Sequence, residues 1–69
     1  MNTFGERLKE LRTEKGLSQK ALAERLGCNQ SRVSFWENGI NEPTENAIRK
    51  AALFFEVSAD YLLGLTDEY

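Results

Sequence analysis

The chain has 69 residues, 41% of them hydrophobic and 29% charged, with a single proline, a composition that fits one globular domain over 1–69 and excludes a second one. A domain of this size buries only about 60% of its unfolded surface. With no histidine and one cysteine, Cys28, a zinc site, an intramolecular disulfide and a catalytic constellation are all excluded. The net charge of −2 divides unevenly: +2 over the first 39 residues and −4 over the remaining 30. The longest apolar run, Ala51 to Phe55, is far short of the roughly 20 residues that span a bilayer. No leader opens the chain, so a cytoplasmic protein without membrane contact is expected. Neither a cofactor nor a small-molecule ligand is expected.

Helix starts are marked by side chains that accept the first free backbone N–H groups, and helix ends by glycine. Thr3 followed by Glu6 predicts a capping box, with Phe4, Leu8 and Leu11 at helical spacing up to Gly16. Ser18 caps a second helix, Gln19 to Leu26, stopped at Gly27. Asn29 caps a third, from Gln30 to about Asn38, closed by Gly39. Ile40 to Pro43 reads as a linker, because a residue before proline is pushed out of the helical region. Thr44 caps a fourth helix with a broad apolar stripe, Ile48, Ala51, Ala52, Phe54 and Phe55, ended at Val57. Ser58 caps a short fifth helix, Ala59 to Leu63, before Gly64. No strand pattern or repeat occurs, so the fold class is all-α.

Two short helices joined by three residues predict a helix-turn-helix over Gln19 to Asn38. Steeply crossing helices need a small residue where they touch, supplied by Ala23, and the tight turn needs positive φ, supplied by Gly27. Leu22, Leu26, Val33 and Trp36 then fill the wedge. No charge or proline falls on these inward positions.

Over nearly its whole length the chain resembles the phage repressor and Cro family of bacterial helix-turn-helix regulators. The resemblance is carried by Gly16-Leu17-Ser18-Gln19-Lys20-Ala21-Leu22-Ala23, by Val33-Ser34-Phe35-Trp36-Glu37-Asn38-Gly39 and by Val57-Ser58-Ala59-Asp60-Tyr61-Leu62-Leu63-Gly64. It implies a compact five-helix domain whose third helix enters the major groove of a double-stranded operator, bound as a homodimer.

On a wheel of about 100° per residue, with Val33 and Trp36 inward, Ser31 and Asn38 point outward with Ser34 and Phe35 on either side. Gln30 stands at the helix start. Gln30, Ser31, Ser34 and Phe35 are therefore the expected base readers: glutamine matches the adenine edge, serine is permissive, and an aromatic ring can cover a thymine methyl. For Phe35 a half-buried place against the linker stays open. Phosphate contacts are expected from Ser18, Gln19 and Lys20 at the start of helix 2, where backbone N–H groups favour an anion, and from Arg32 and Asn41. The resemblance also implies phosphate bonding by Gln19 and Asn38, and an ion pair between Arg12 and Glu37. The linker departs from the family, offering Asn41 and Glu42 where a cation is often found, which predicts fewer ionic contacts.

Phe54, Phe55, Tyr61 and Leu65 are expected mostly in the core, with one or two of them left for a dimer surface, and the expected dimer contact lies around Tyr61, Leu62 and Leu65; Cys28 is expected as half-buried filler, and the Asp67-Glu68 tail as solvated. The function these features predict is a sequence-specific transcriptional regulator, most simply a repressor of phage, prophage or bacterial origin that occludes a promoter. A second reading is a protein-interaction module, such as an antitoxin or antirepressor target, presenting helices 4 and 5 to a regulatory protein partner.

Overall fold

The computed structural model describes residues 3–69, which form α1 (Thr3–Glu14), α2 (Gln19–Leu26), α3 (Gln30–Glu37), α4 (Glu45–Phe55) and α5 (Ala59–Leu62). Four of the starts are written in local chemistry. The side chains of Ser18, Asn29, Thr44 and Ser58 each sit in extended backbone and accept the N–H three residues on, from Ala21, Arg32, Ala47 and Tyr61. Each such bond satisfies a donor that has no partner within the helix. α1 departs from the expected capping box: Thr3 is already helical. Its methyl faces the turn after α5, where a Cβ added to Gly64 would collide with it.

All five helices end in one way. A backbone N–H reaches back five residues to a carbonyl, from Leu17 to Arg12, Cys28 to Ala23, Ile40 to Phe35, Val57 to Ala52 and Leu65 to Asp60. This closure requires positive φ at the residue before the donor. Glycine meets the requirement four times, while α4 is closed by Glu56 at φ 56. The sequence carries no sign of that last turn, because glutamate rarely adopts it.

The core draws on every helix. Leu8, Leu22, Val33 and Leu62 are shielded from solvent completely, with Phe4, Leu11, Ala23, Leu26, Trp36, Ala51, Phe55, Val57 and Tyr61 buried around them. Burying each large aliphatic side chain stabilises the fold by about 1.5–3 kcal/mol. α2 packs on α3, and α1 lies against α3 and α5. Phe4 of α1 meets Trp36 of α3 edge-on, centroids 6.0 Å apart, so the helix carrying the exposed polar row is fixed from behind. The expected apolar stripe of α4 is only half sunk: Ala51 and Phe55 are buried, whereas Ile48, Ala52 and Phe54 border the core.

α5 lies deeper in the core than its sequence suggests. Tyr61 and Leu62, expected at a dimer surface, are buried against their own chain, and Leu65 alone of the three is exposed, at 73%. The chain then folds back over α1. Arg7 donates to the Thr66 carbonyl (2.9 Å) and to Asp67 Oδ1 (2.8 Å), and lies 4.1 Å above the Tyr61 ring. Tyr69 meets that ring edge-on at 4.8 Å while its main-chain oxygen accepts from Ser58 N–H at 2.7 Å. Asp67 is thus an ion-pair partner of Arg7 while its side chain stays solvated, as expected of the tail.

Candidate nucleic-acid interface

α3 presents Gln30, Ser31, Arg32, Phe35 and Asn38 to solvent, with Ser34 half-buried between them. Phe35 stays 41% exposed. It also borders a shallow cleft of about 370 Å³ formed by Ser31, Arg32 and Trp36 of α3 with Asn41, Glu42 and Thr44 of the following loop. The ring is thus solvent-exposed and also lies beside the linker. Asn41 and Arg32 line the same cleft, which brings two of the expected phosphate contacts beside the expected base readers.

At the start of α2 the Ser18 hydroxyl is occupied as an acceptor by Ala21 N–H at 3.0 Å, and Lys20 is exposed. Gln19 has a role the sequence did not suggest. Its amide nitrogen donates to Glu37 Oε1 at 3.0 Å. Asn38, the exposed cap of α3, bends back along the helix surface, its amide nitrogen donating to the Ser34 carbonyl at 3.0 Å and to the Ser34 hydroxyl at 3.3 Å.

The exposed row is held in place by a polar joint. Arg12 Nε donates to Glu37 Oε2 at 2.7 Å and its Nη2 to Oε1 at 3.0 Å, while Nη1 donates to the Leu17 carbonyl at 2.8 Å. The Glu37 side chain is only 2% exposed. Its carboxylate thus receives α1 through Arg12 and the start of α2 through Gln19, and this links three helices at the end of α3. Two parallel guanidinium bonds also fix orientation, which a point charge would not do.

Cys28 fills the turn between α2 and α3, half-buried among residues of α2, α3 and α4. Desolvation pushes its thiol pKa up, against the opposing pull of Arg32 and Lys50, so little of it is thiolate at neutral pH. Among the described residues no group of three or more His, Cys, Asp or Glu gathers to hold a metal, and no helix is long and apolar enough to cross a membrane.

Comparison with known proteins places these elements in context. A helix-turn-helix family model matches residues 8–62. The chain is 40% identical over 61 residues to the transcriptional activator BcrR of Enterococcus faecalis, covering 88% of this chain and 30% of that protein. It is 42% identical over 60 residues to YonR, an SPbeta prophage-derived regulator of Bacillus subtilis, covering 87% of this chain and 56% of the relative. The chain therefore spans about half or less of these curated relatives. Among solved structures, the P22 c2 repressor in complex with a synthetic operator superposes with a TM-score of 0.82 at 30% identity, over 87% of this chain and 91% of that one.

Proposed function

The chain belongs to the helix-turn-helix family whose model spans residues 8–62, and from that premise we propose that it is a sequence-specific DNA-binding transcriptional regulator of the cytoplasm. The observation that carries the proposal is the pairing of an exposed polar row with a rigid mount. Gln30, Ser31, Ser34 and Phe35 lie along one side of α3, and the Arg12–Glu37–Gln19 joint fixes that helix against α1 and α2. A helix so mounted can enter a major groove without reorganising first, and the P22 c2 repressor has been solved on an operator.

In this reading Gln30 and Phe35 contact base edges, while Ser18, Gln19 and Lys20 at the start of α2, with Arg32 and Asn41, lie along phosphates. The molecule acts as a homodimer on DNA, since one module of this size reads too few base pairs alone. Leu65 supplies exposed apolar surface for the contact. Repression by occlusion is the simplest output. The chain is similar both to a protein described as an activator and to one described as a repressor, so the likeness does not choose the sign. Likeness to a prophage-derived regulator and a phage repressor supports a phage-related origin.

Gel-shift titration of random genomic fragments over a range of salt concentrations tests the proposal. A DNA reader binds them weakly with affinity falling steeply as salt rises, whereas a module that contacts only proteins gives no shift at any salt.

A further inference from the structure

A groove runs along the exposed side of α4. One wall is α4 itself, from its cap Thr44 past Ala47 and Lys50 to Leu53 and Phe54, and the other is the end of α2 with the turn after it, Arg25 to Cys28. Its two sections, of about 140 and 480 Å³, share Leu26, Gly27 and Lys50 and are therefore continuous. From Thr44 to Phe54 the groove runs roughly 15 Å, or about three helical turns. Leu53 is 74% exposed on it, beside Phe54, whose ring centroid lies 5.7 Å from Lys15 Nζ. Arg25, Arg32 and Lys50 line it against Glu24 alone. Among the described residues none of these three cations is in an ion pair.

We propose that this groove docks an acidic amphipathic helix of a partner protein, with an apolar row on Leu53 and Phe54 and carboxylates beside Arg25, Lys50 and Arg32. The charge selects the occupant: cations without partners beside an exposed aliphatic side chain match a ligand that is both acidic and apolar. Phosphates would satisfy the cations but leave Leu53 in water. A second copy of the chain fits poorly, because the exposed large apolar side chains on its helices are Phe35, on a face of α3 without exposed acid, and Leu53 itself. An all-helical domain offers no sheet edge to an extended segment, which leaves a helix laid in a groove as the mode of recognition.

Arg32 gives the docking a consequence, which rests on the reading of this residue as a phosphate contact. It lines both the groove and the cleft that holds Phe35 and Asn41. A docked helix that pairs with Arg32 takes a cation away from the DNA, so the partner acts as a regulator that loosens binding to the operator.

The test is selection of binders to the folded wild-type protein from a displayed library of random peptides about 16 residues long, roughly four helical turns. Enriched peptides should be acidic, with apolar residues at i, i+3 or i+4, and i+7, and bind less tightly as salt rises. Leu53→Asp should weaken a selected peptide at least about tenfold, and Lys50→Glu roughly three- to tenfold, with melting temperatures little changed because both side chains are exposed. The bound peptide should also slow alkylation of Cys28, which lines the same groove. At saturation it should weaken wild-type binding to genomic DNA fragments and lower the salt slope by roughly one unit, with no further fall in slope for Arg32→Ala.

The proposal is overturned if acidic helical peptides are not enriched, or if those enriched bind Leu53→Asp and Lys50→Glu as tightly as wild type. It is also overturned if Leu53→Asp abolishes self-association of the wild type in sedimentation, which would assign the face to a second copy. Unchanged DNA affinity at peptide saturation overturns the competition through Arg32. Peptide binding as expected, with no DNA bound at any salt, supports the groove and overturns the DNA-reading proposal, so the two failures are told apart.

Discussion

Arg12 and Glu37, 25 positions apart in sequence, meet through two hydrogen bonds of 2.7 and 3.0 Å, with Gln19 donating to the same carboxylate. A desolvated ion pair adds little net stability over an apolar pair of similar shape. Removing one partner strands the other, which costs about 3–5 kcal/mol when burial is complete. Glu37→Gln or Arg12→Met should therefore lower stability by roughly 2–4 kcal/mol, Arg12 being the more accessible member. DNA affinity should fall mainly with the loss of folded protein. A double-mutant cycle by urea denaturation checks this, and a coupling below about 0.5 kcal/mol, the scatter of independent sites, would contradict it.

Glu56 closes α4 in a left-handed conformation that costs a non-glycine residue about 1–2 kcal/mol. Glu56→Gly removes that strain and returns about 0.4–1 kcal/mol through the greater freedom of the unfolded chain. The net expectation is a stabilisation of about 0.5–1 kcal/mol, read as a higher urea midpoint. A lower midpoint would show that the glutamate side chain stabilises the turn.

Four helix starts and four helix ends were legible in the sequence because capping and left-handed turns are local: Ser18, Asn29, Thr44 and Ser58 act within three residues. What was not legible depends on distant parts of the chain. Arg7 finds Thr66 and Asp67 across almost the whole sequence, and Gln19 finds Glu37 only once α2 and α3 are packed. Tyr61 and Leu62 were misplaced because a helix of four residues has no periodicity from which an inward face can be read. On α3 Val33 and Trp36, expected in the wedge between α2 and α3, are buried, and the wheel oriented on them put Ser31 outward, as observed. It could not show that Asn38 bends back onto Ser34, because side-chain rotamers are not encoded in spacing.

Gln30→Ala and Phe35→Ala remove exposed side chains of α3 and should leave the melting temperature nearly unchanged. Gln30→Ala should cost roughly 1–3 kcal/mol of discrimination at one base pair, the worth of a bidentate contact. Phe35→Ala should relax a thymine preference, so that replacing that thymine with uracil causes no further loss. Equal binding of wild type and variant to single-base operator mutants would remove these residues from the reading surface.

Lys20 and Arg32 are exposed cations beside the proposed reading surface. Neutralising either should weaken binding to all sequences about equally and reduce the slope of log affinity against log salt by roughly one unit. A changed base preference at unchanged slope would assign that residue to a base instead of a phosphate.

Selection of bound sequences from a random DNA pool, followed by footprinting of the winner, tests the central claim most directly. The expected result is one enriched operator with two related half-sites whose centres lie about 34–36 Å apart along the duplex, as a two-fold symmetric pair of α3 helices requires. A pool that stays random after repeated rounds, with folded protein confirmed in the same samples, would contradict it.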